Sequence, residues 1–179
     1  HSDQVLSAPQ ADRFEACLER REAGEPVAYI RGFKEFYGAA VTVDPRVLIP
    51  RPETETLVEL TLARITASLT GTARDTVSEP FLVWDVGTGS GAIPVAVASE
   101  LLKRRYGEAV RFHVSDISGD ARDVATINIV SQGLAHLVTF ILGDLTDVAP
   151  PPGRPVDLLV ANLPYIPSDT LPGLPVAAS

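Results

Sequence analysis

The segment Asp85-Val86-Gly87-Thr88-Gly89-Ser90-Gly91 joins one apolar run, Phe81-Leu82-Val83-Trp84, to another that begins at Ala92. Three glycines at alternate positions between a buried-type strand and a helix constrain this chain more than any other feature. Glycine takes up positive φ without a steric penalty and lets a ligand approach the backbone closely. The first amides of the following helix have no partner within the helix and can face a bound group. In the absence of a ligand, such glycines would only add to the entropy lost on folding. The loop by itself does not choose the ligand. Gly87, Gly89 and Ala92 satisfy the dinucleotide pattern G-x-G-x-x-G/A, and S-adenosylmethionine is served equally well. The phosphate-loop pattern G-x-x-x-x-G-K-S/T does not occur in the sequence.

The surrounding pattern is β-α-β-α-β-β. Strands are expected over 81–86, 110–115, 137–142 and 156–161, and helices over 92–106 and 119–132. Pro94 is tolerable because it falls in a first helical turn. A Pro-rich loop, 149–155, precedes the last strand. Alternating elements of these lengths point to a doubly wound parallel sheet. Upstream, Arg13 to Ala23 reads as the end of a helix, with Phe14, Cys17 and Leu18 on one face and Gly24 as its stop. The β-rich runs Val27-Ala28-Tyr29-Ile30 and Ala40-Val41-Thr42-Val43 flank Gly32 and Gly38, which suggests a hairpin-like connector. Ile49-Pro50-Arg51-Pro52 stiffens the chain ahead of a helix over 53–69. The stretch 71–80 reads as a polar linker.

Composition narrows the function classes. The formal charge of -8 argues mildly against a polyanionic nucleic-acid partner, whose binding is driven by counterion release onto a basic face. A single cysteine excludes an internal disulfide and a Cys-cluster zinc site, and no metal is expected. Cys17 is expected to be a small buried residue. No apolar run approaches the ~20 residues that span a bilayer, and no signal-peptide pattern is present. These features suit a reducing, cytoplasm-like compartment. The chain starts at His1 and has no methionine, so a fragment is expected.

Three further sites fall at the carboxyl ends of strands, where open parallel sheets bind ligands. Asp116 follows the second strand, in place to accept ribose hydroxyls from either cofactor. Asp144 and Leu145 follow the third, where an adenine ring would lie. Asn162-Leu163-Pro164-Tyr165 follows the fourth, at the mouth of the pocket, and this placement favours methyl transfer to an amide. An amide nitrogen is a poor nucleophile because its lone pair is delocalised into the carbonyl. The protein must therefore hold a planar –NH₂ in line with the electrophile. An –NH₂ offers two donors. The Asn162 side-chain oxygen can accept one and the Leu163 carbonyl the other. Tyr165 can stack on the flat group, and Pro164 can stiffen the turn. His113 and His136 have no plausible triad partner and read as structural.

From about Arg20 onward the sequence resembles the PrmC/HemK family, the N5-glutamine methyltransferases of peptide-chain release factors. The resemblance is carried by Gly24-Glu25-Pro26-Val27-Ala28-Tyr29-Ile30, by Glu35-Phe36-Tyr37-Gly38 and above all by Ile49-Pro50-Arg51-Pro52-Glu53-Thr54-Glu55. It implies a class I S-adenosylmethionine-dependent methyltransferase fold with a Rossmann-like sheet. Residues 1–24 would end a helical N-terminal domain, 25–52 would form a β-hairpin connector, and 53–179 would form a C-terminally incomplete methyltransferase domain. It also implies that S-adenosylmethionine is held by Gly87, Thr88, Gly89, Ser90, Gly91, Asp116, Asp144, Leu145 and Asn162. Asn162, Leu163, Pro164 and Tyr165 would contact the glutamine of a Gly-Gly-Gln motif in a release factor. A cytoplasmic or organellar-matrix monomer with a protein substrate, and neither a nucleic-acid nor a membrane partner, is the corresponding expectation. The family usually has proline where Leu163 stands. Asn-Leu-Pro-Tyr is also similar to the motif of adenine-N6 rRNA dimethyltransferases, so methylation of adenine in RNA or DNA is an alternative. An inactive cofactor-binding fragment is another.

Overall fold

The computed structural model of the chain describes residues 5–71, 79–145 and 155–163. Its centre is a parallel sheet in the order β5-β4-β3-β6, formed by β3 (Phe81–Val86), β4 (Val110–Asp116), β5 (Val138–Leu142) and β6 (Leu158–Ala161). All six residues of β3 are buried. A strand covered on both faces has no polar side to show, and hence its sequence is a continuous apolar run rather than an alternation.

Helix α4 (Ala92–Lys103) is also apolar around most of its circumference. It packs on α3 (Thr54–Gly71) on one side, and its residues join the central core with Val58, Leu62 and Ile65 of α3. A helix enclosed on several sides loses the usual one-faced pattern. Helix α5 (Gly119–Ser131) covers β4 and β5.

The chain runs outward from β3 through β4 to β5, then returns to pair β6 with the other side of β3. The reversal of strand order lies between β3 and β6, whose last residues, Val86 and Ala161, are register partners. Gly87 and Asn162 therefore leave the sheet side by side at the switch point, where such sheets take their ligands.

The amino-terminal part differs from the sequence reading. Helix α1 (Ala8–Glu22) starts at a capping box between Ser7 and Gln10 and includes the stretch expected to end a helix. Cys17 is exposed, contrary to expectation, because no residue of α1 is buried within this chain. The run 27–30 is not a strand. It forms the single-turn helix α2 (Val27–Arg31), bracketed by Pro26 and by Gly32 in the left-handed conformation, with φ of 78°. Proline before a helix and glycine after it are start and stop signals that outweigh β-rich composition over so short a stretch. The Tyr29 hydroxyl donates to the Val47 carbonyl at 2.7 Å and fixes that turn. The hairpin itself is β1 (Phe33–Phe36) paired antiparallel with β2 (Ala39–Thr42).

Downstream the differences are small. Helix α4 stops at Lys103 rather than near Tyr106, and Arg105 follows with φ of 63°. No helix among the described residues is long and apolar enough to cross a membrane.

Candidate functional site

The loop after β3 is shaped by its glycines. Gly87, Gly89 and Gly91 have φ of 71°, 54° and 75°. The Gly87 and Thr88 amides both donate to the Ser115 carbonyl, at 2.8 and 3.0 Å, which pins the loop to the end of β4. A Cβ on Gly91 would lie 3.2 Å from Ala125 Cβ and 3.3 Å from Ala125 Cα, so α5 presses directly on the loop. A Cβ on Gly87 would lie 2.5 Å from Leu163 Cδ2. The structure thus brings the glycine loop and the start of the tetrapeptide into contact.

Asp116 closes the other side. Its Oδ2 accepts the Gly89 amide at 2.9 Å and its Oδ1 accepts the Ser118 amide at 3.0 Å. Each carboxylate oxygen retains acceptor capacity for a further donor such as a hydroxyl. The Gly143 amide donates to the Asp116 carbonyl at 2.9 Å. The exposed Asp144 and Leu145 follow immediately, on the same rim as Asp116.

Asp85 lies beneath the loop and is 1% exposed. Neither of its carboxylate oxygens has a hydrogen-bond partner among the described residues, and the buried Thr88 hydroxyl makes no well-formed bond either. Burial pushes the carboxyl up to about 7. The nearby Thr88 hydroxyl opposes this, and the Asp116 charge adds to it. Burial without a well-formed partner is costly for the charged form, which is why the carboxyl holds its proton to higher pH. A ligand with a cationic group at one end and hydroxyls at the other fits the unpaired Asp85, the three positive-φ glycines and Asp116.

At the end of β6, the exposed Asn162 donates from Nδ2 to Thr54 Oγ1 at 3.0 Å. Thr54 is the first residue of α3 and belongs to the Pro-Arg-Pro-Glu-Thr stretch. The adjacent Glu55 accepts the Tyr37 amide at 2.9 Å, tying that stretch to the hairpin turn. With its –NH₂ engaged, the Asn162 side chain keeps Oδ1 as an acceptor for a second group. Pro164 and Tyr165 lie outside the described residues.

No role for Asp85, for Thr54 by itself or for Asn128 follows from the sequence. Asp85 carries a visible signal, a charged residue next to the end of an otherwise apolar parallel strand. The role of Asn128 depends on contacts 86 and 38 residues away, and no local pattern reveals it. His113, in β4, is partly buried with its Nδ1 unpaired among the described residues, and burial lowers its pKa. His136 is exposed, 3.8 Å from Glu108. No cluster of metal-ligating residues occurs among the described residues.

Known proteins resemble this chain in sequence and in fold. Residues 1–32 match the family model of the PrmC N-terminal domain. The chain is 40% identical to a release factor glutamine methyltransferase of Moorella thermoacetica, over 97% of this chain and 55% of that protein. It is 46% identical to the one from Neisseria gonorrhoeae, over 88% of this chain and 49% of that protein. The chain spans about half the length of the curated relatives it matches. Among solved structures, the N-terminal domain of human METTL16 in complex with SAH is similar at a TM-score of 0.53 and 18% identity, covering 90% of this chain and 55% of that one. Methanocaldococcus jannaschii Trm5 in complex with adenosine is similar at a TM-score of 0.53 and 19% identity, covering 78% of this chain and 37% of that one. These two likenesses establish the fold, that of S-adenosylmethionine-dependent methyltransferases.

Proposed function

We propose, for a chain related over nearly its whole length to the release factor glutamine methyltransferases, that it carries the cofactor site and the amide-binding strand end of an enzyme that methylates N5 of the Gly-Gly-Gln glutamine in a release factor. The observation that carries this reading is the convergence at the switch point. Asn162 is tethered to Thr54, and Leu163 sits against Gly87 over the loop that covers Asp85.

S-adenosylmethionine, when bound, supplies an electrophilic methyl group on a sulfonium. In this reading Gly87 to Gly91, Asp116, Asp144, Leu145 and Asn162 hold it, and Asp85 beneath the loop offers its unpaired carboxylate to the cationic end. The protein's task toward the substrate is orientation. Asn162 Oδ1 accepts one hydrogen of the glutamine –NH₂ and the Leu163 carbonyl accepts the other, which raises electron density on nitrogen and fixes its plane. Leucine at 163 supplies the same carbonyl that proline would. Thr54 fixes the Asn162 amide from behind, so the side-chain oxygen needs no reorganisation during the reaction. Pro164 and Tyr165 are assigned to stiffening the turn and stacking on the amide. The enzyme works as a monomer in the cytoplasm on a protein rather than a nucleic acid, in keeping with a charge of -8.

A methyl-transfer assay offering a release factor, RNA and DNA side by side tests the assignment. Incorporation into the release factor, at the Gly-Gly-Gln glutamine, is the expected result. Incorporation into adenine of either nucleic acid, with none into the protein, would overturn it.

A further inference from the structure

Asn128 sits in the last turn of α5, is 1% exposed, and uses both ends of its side-chain amide. Its Oδ1 accepts the Thr42 amide at 2.7 Å. Its Nδ2 donates to the Thr42 carbonyl at 3.0 Å and to the Ser90 carbonyl at 2.8 Å. One turn later Gln132 Nε2 donates to the Ala40 carbonyl at 3.5 Å. The match is geometric. Residues four apart on a helix lie about 6 Å apart on one face, and residues two apart on a strand repeat at nearly the same distance. The free edge of β2, the strand on the far side of the hairpin from β1, is thereby docked on α5. Only Asn128 extends the contact further, to the glycine loop.

We infer that Asn128 is a positioning residue that couples the seating of the β1–β2 hairpin to the shape of the cofactor loop. This rests on the reading of Gly87 to Gly91 as the methyl-donor site. The loop is held at four places: by Ser115 through the Gly87 and Thr88 amides, by Asp116 through the Gly89 amide, by Ala125 against Gly91, and by Asn128 through the Ser90 carbonyl. The first three contacts are internal to the sheet domain. The last is shared with the hairpin, so a ligand that fixes Ser90 also fixes Asn128 and, through it, Thr42. Conversely, displacing the hairpin withdraws one of the loop's four supports. The hairpin is tied to the Asn162 side of the site as well, through the Tyr37 amide on Glu55, next to Thr54. The hairpin thus has a hydrogen-bonded link to each half of the site.

The test uses S-adenosylhomocysteine as the probe, with amide hydrogen exchange and an NMR titration on the chain. In the unaltered chain, saturating probe should slow exchange of the Thr42 amide severalfold, although Thr42 lies on the hairpin and not in the loop. Asn128→Asp keeps the acceptor for the Thr42 amide and loses both donors. It should weaken probe binding by about tenfold, the effect of losing the one hydrogen bond that reaches the loop, and abolish the protection at Thr42. Gln132→Ala removes the neighbouring anchor on β2 without touching the loop, and should bind the probe within about twofold of the unaltered chain. Equal loss of affinity in both variants would reduce Asn128 to general support of the hairpin and overturn the inference. So would unchanged Thr42 exchange in the unaltered chain on saturation, which decides the matter even if Asn128→Asp fails to fold. Absence of any probe binding by the unaltered chain would instead reject the methyl-donor site and, with it, this coupling.

Discussion

Asn162 Nδ2 donates to Thr54 Oγ1 at 3.0 Å, joining the end of the last described strand to the first residue of α3 across 108 residues of sequence. The bond gives the asparagine a defined orientation in an exposed position. It also ties the stretch Ile49 to Glu55, through Thr54, to a residue far away in the sequence.

Removing that acceptor should affect turnover more than cofactor affinity. Thr54→Val is expected to lower kcat on a release factor about three- to tenfold, the range for one partly solvated hydrogen bond. S-adenosylhomocysteine binding should stay nearly unchanged, and Thr54→Ser should restore most of the rate. Steady-state kinetics with a separate binding titration check all three outcomes.

The buried Asp85 makes stability depend on pH in an unusual direction. Its folded-state pKa of about 7 lies above the unfolded value near 4. Between those values the native state binds more protons than the unfolded state, so this group makes stability fall as pH rises from about 4 to 7. The ceiling on the effect is about 4 kcal/mol. His113, with a lowered pKa, works the other way, since its neutral burial favours the native state at higher pH. Thermal melts of Asp85→Asn against the unaltered chain from pH 5 to 8 isolate the carboxylate. The variant should be the more stable at pH 8, converge with the parent toward pH 5, and bind S-adenosylhomocysteine more weakly.

Much of the sheet domain was legible because its signals are local. The apolar run 81–86 matches β3 residue for residue, and the glycines at 87, 89 and 91 all adopt the positive φ their positions suggested. The amino-terminal region was harder to read. Val27 to Ile30 has strand composition, yet Pro26 and Gly32 close it into a turn of helix. The isolated face of α1 misled the expectation for Cys17, since apolar spacing shows which side seeks a partner but not whether this chain supplies one. The support given by Thr54 and Asn128 depends on long-range contacts that no window of sequence contains.

The glycine loop should distinguish two kinds of crowding. Gly91→Ala places a methyl against Ala125, including its backbone, at a φ of 75°, so the backbone of α5 rather than a side-chain end must give way. A loss of about 2 kcal/mol or more is expected from strain and overpacking together. Gly87→Ala meets only the end of the Leu163 side chain, which can rotate away, leaving chiefly the backbone strain of roughly 1 kcal/mol. Denaturant melts should therefore rank Gly91→Ala as the more damaging. Leu163→Ala should partly relieve the Gly87 substitution and do nothing for the Gly91 one.

The central claim is that Asn162 grips the glutamine amide, and the most direct measurement is single-turnover methylation of a release factor, followed by mass spectrometry of its Gly-Gly-Gln peptide. Asn162→Ala is expected to slow the chemical step by about a hundredfold, corresponding to roughly 3 kcal/mol for one preorganised contact to the reacting group. Methylation by Asn162→Ala at the rate of the unaltered protein would contradict the account.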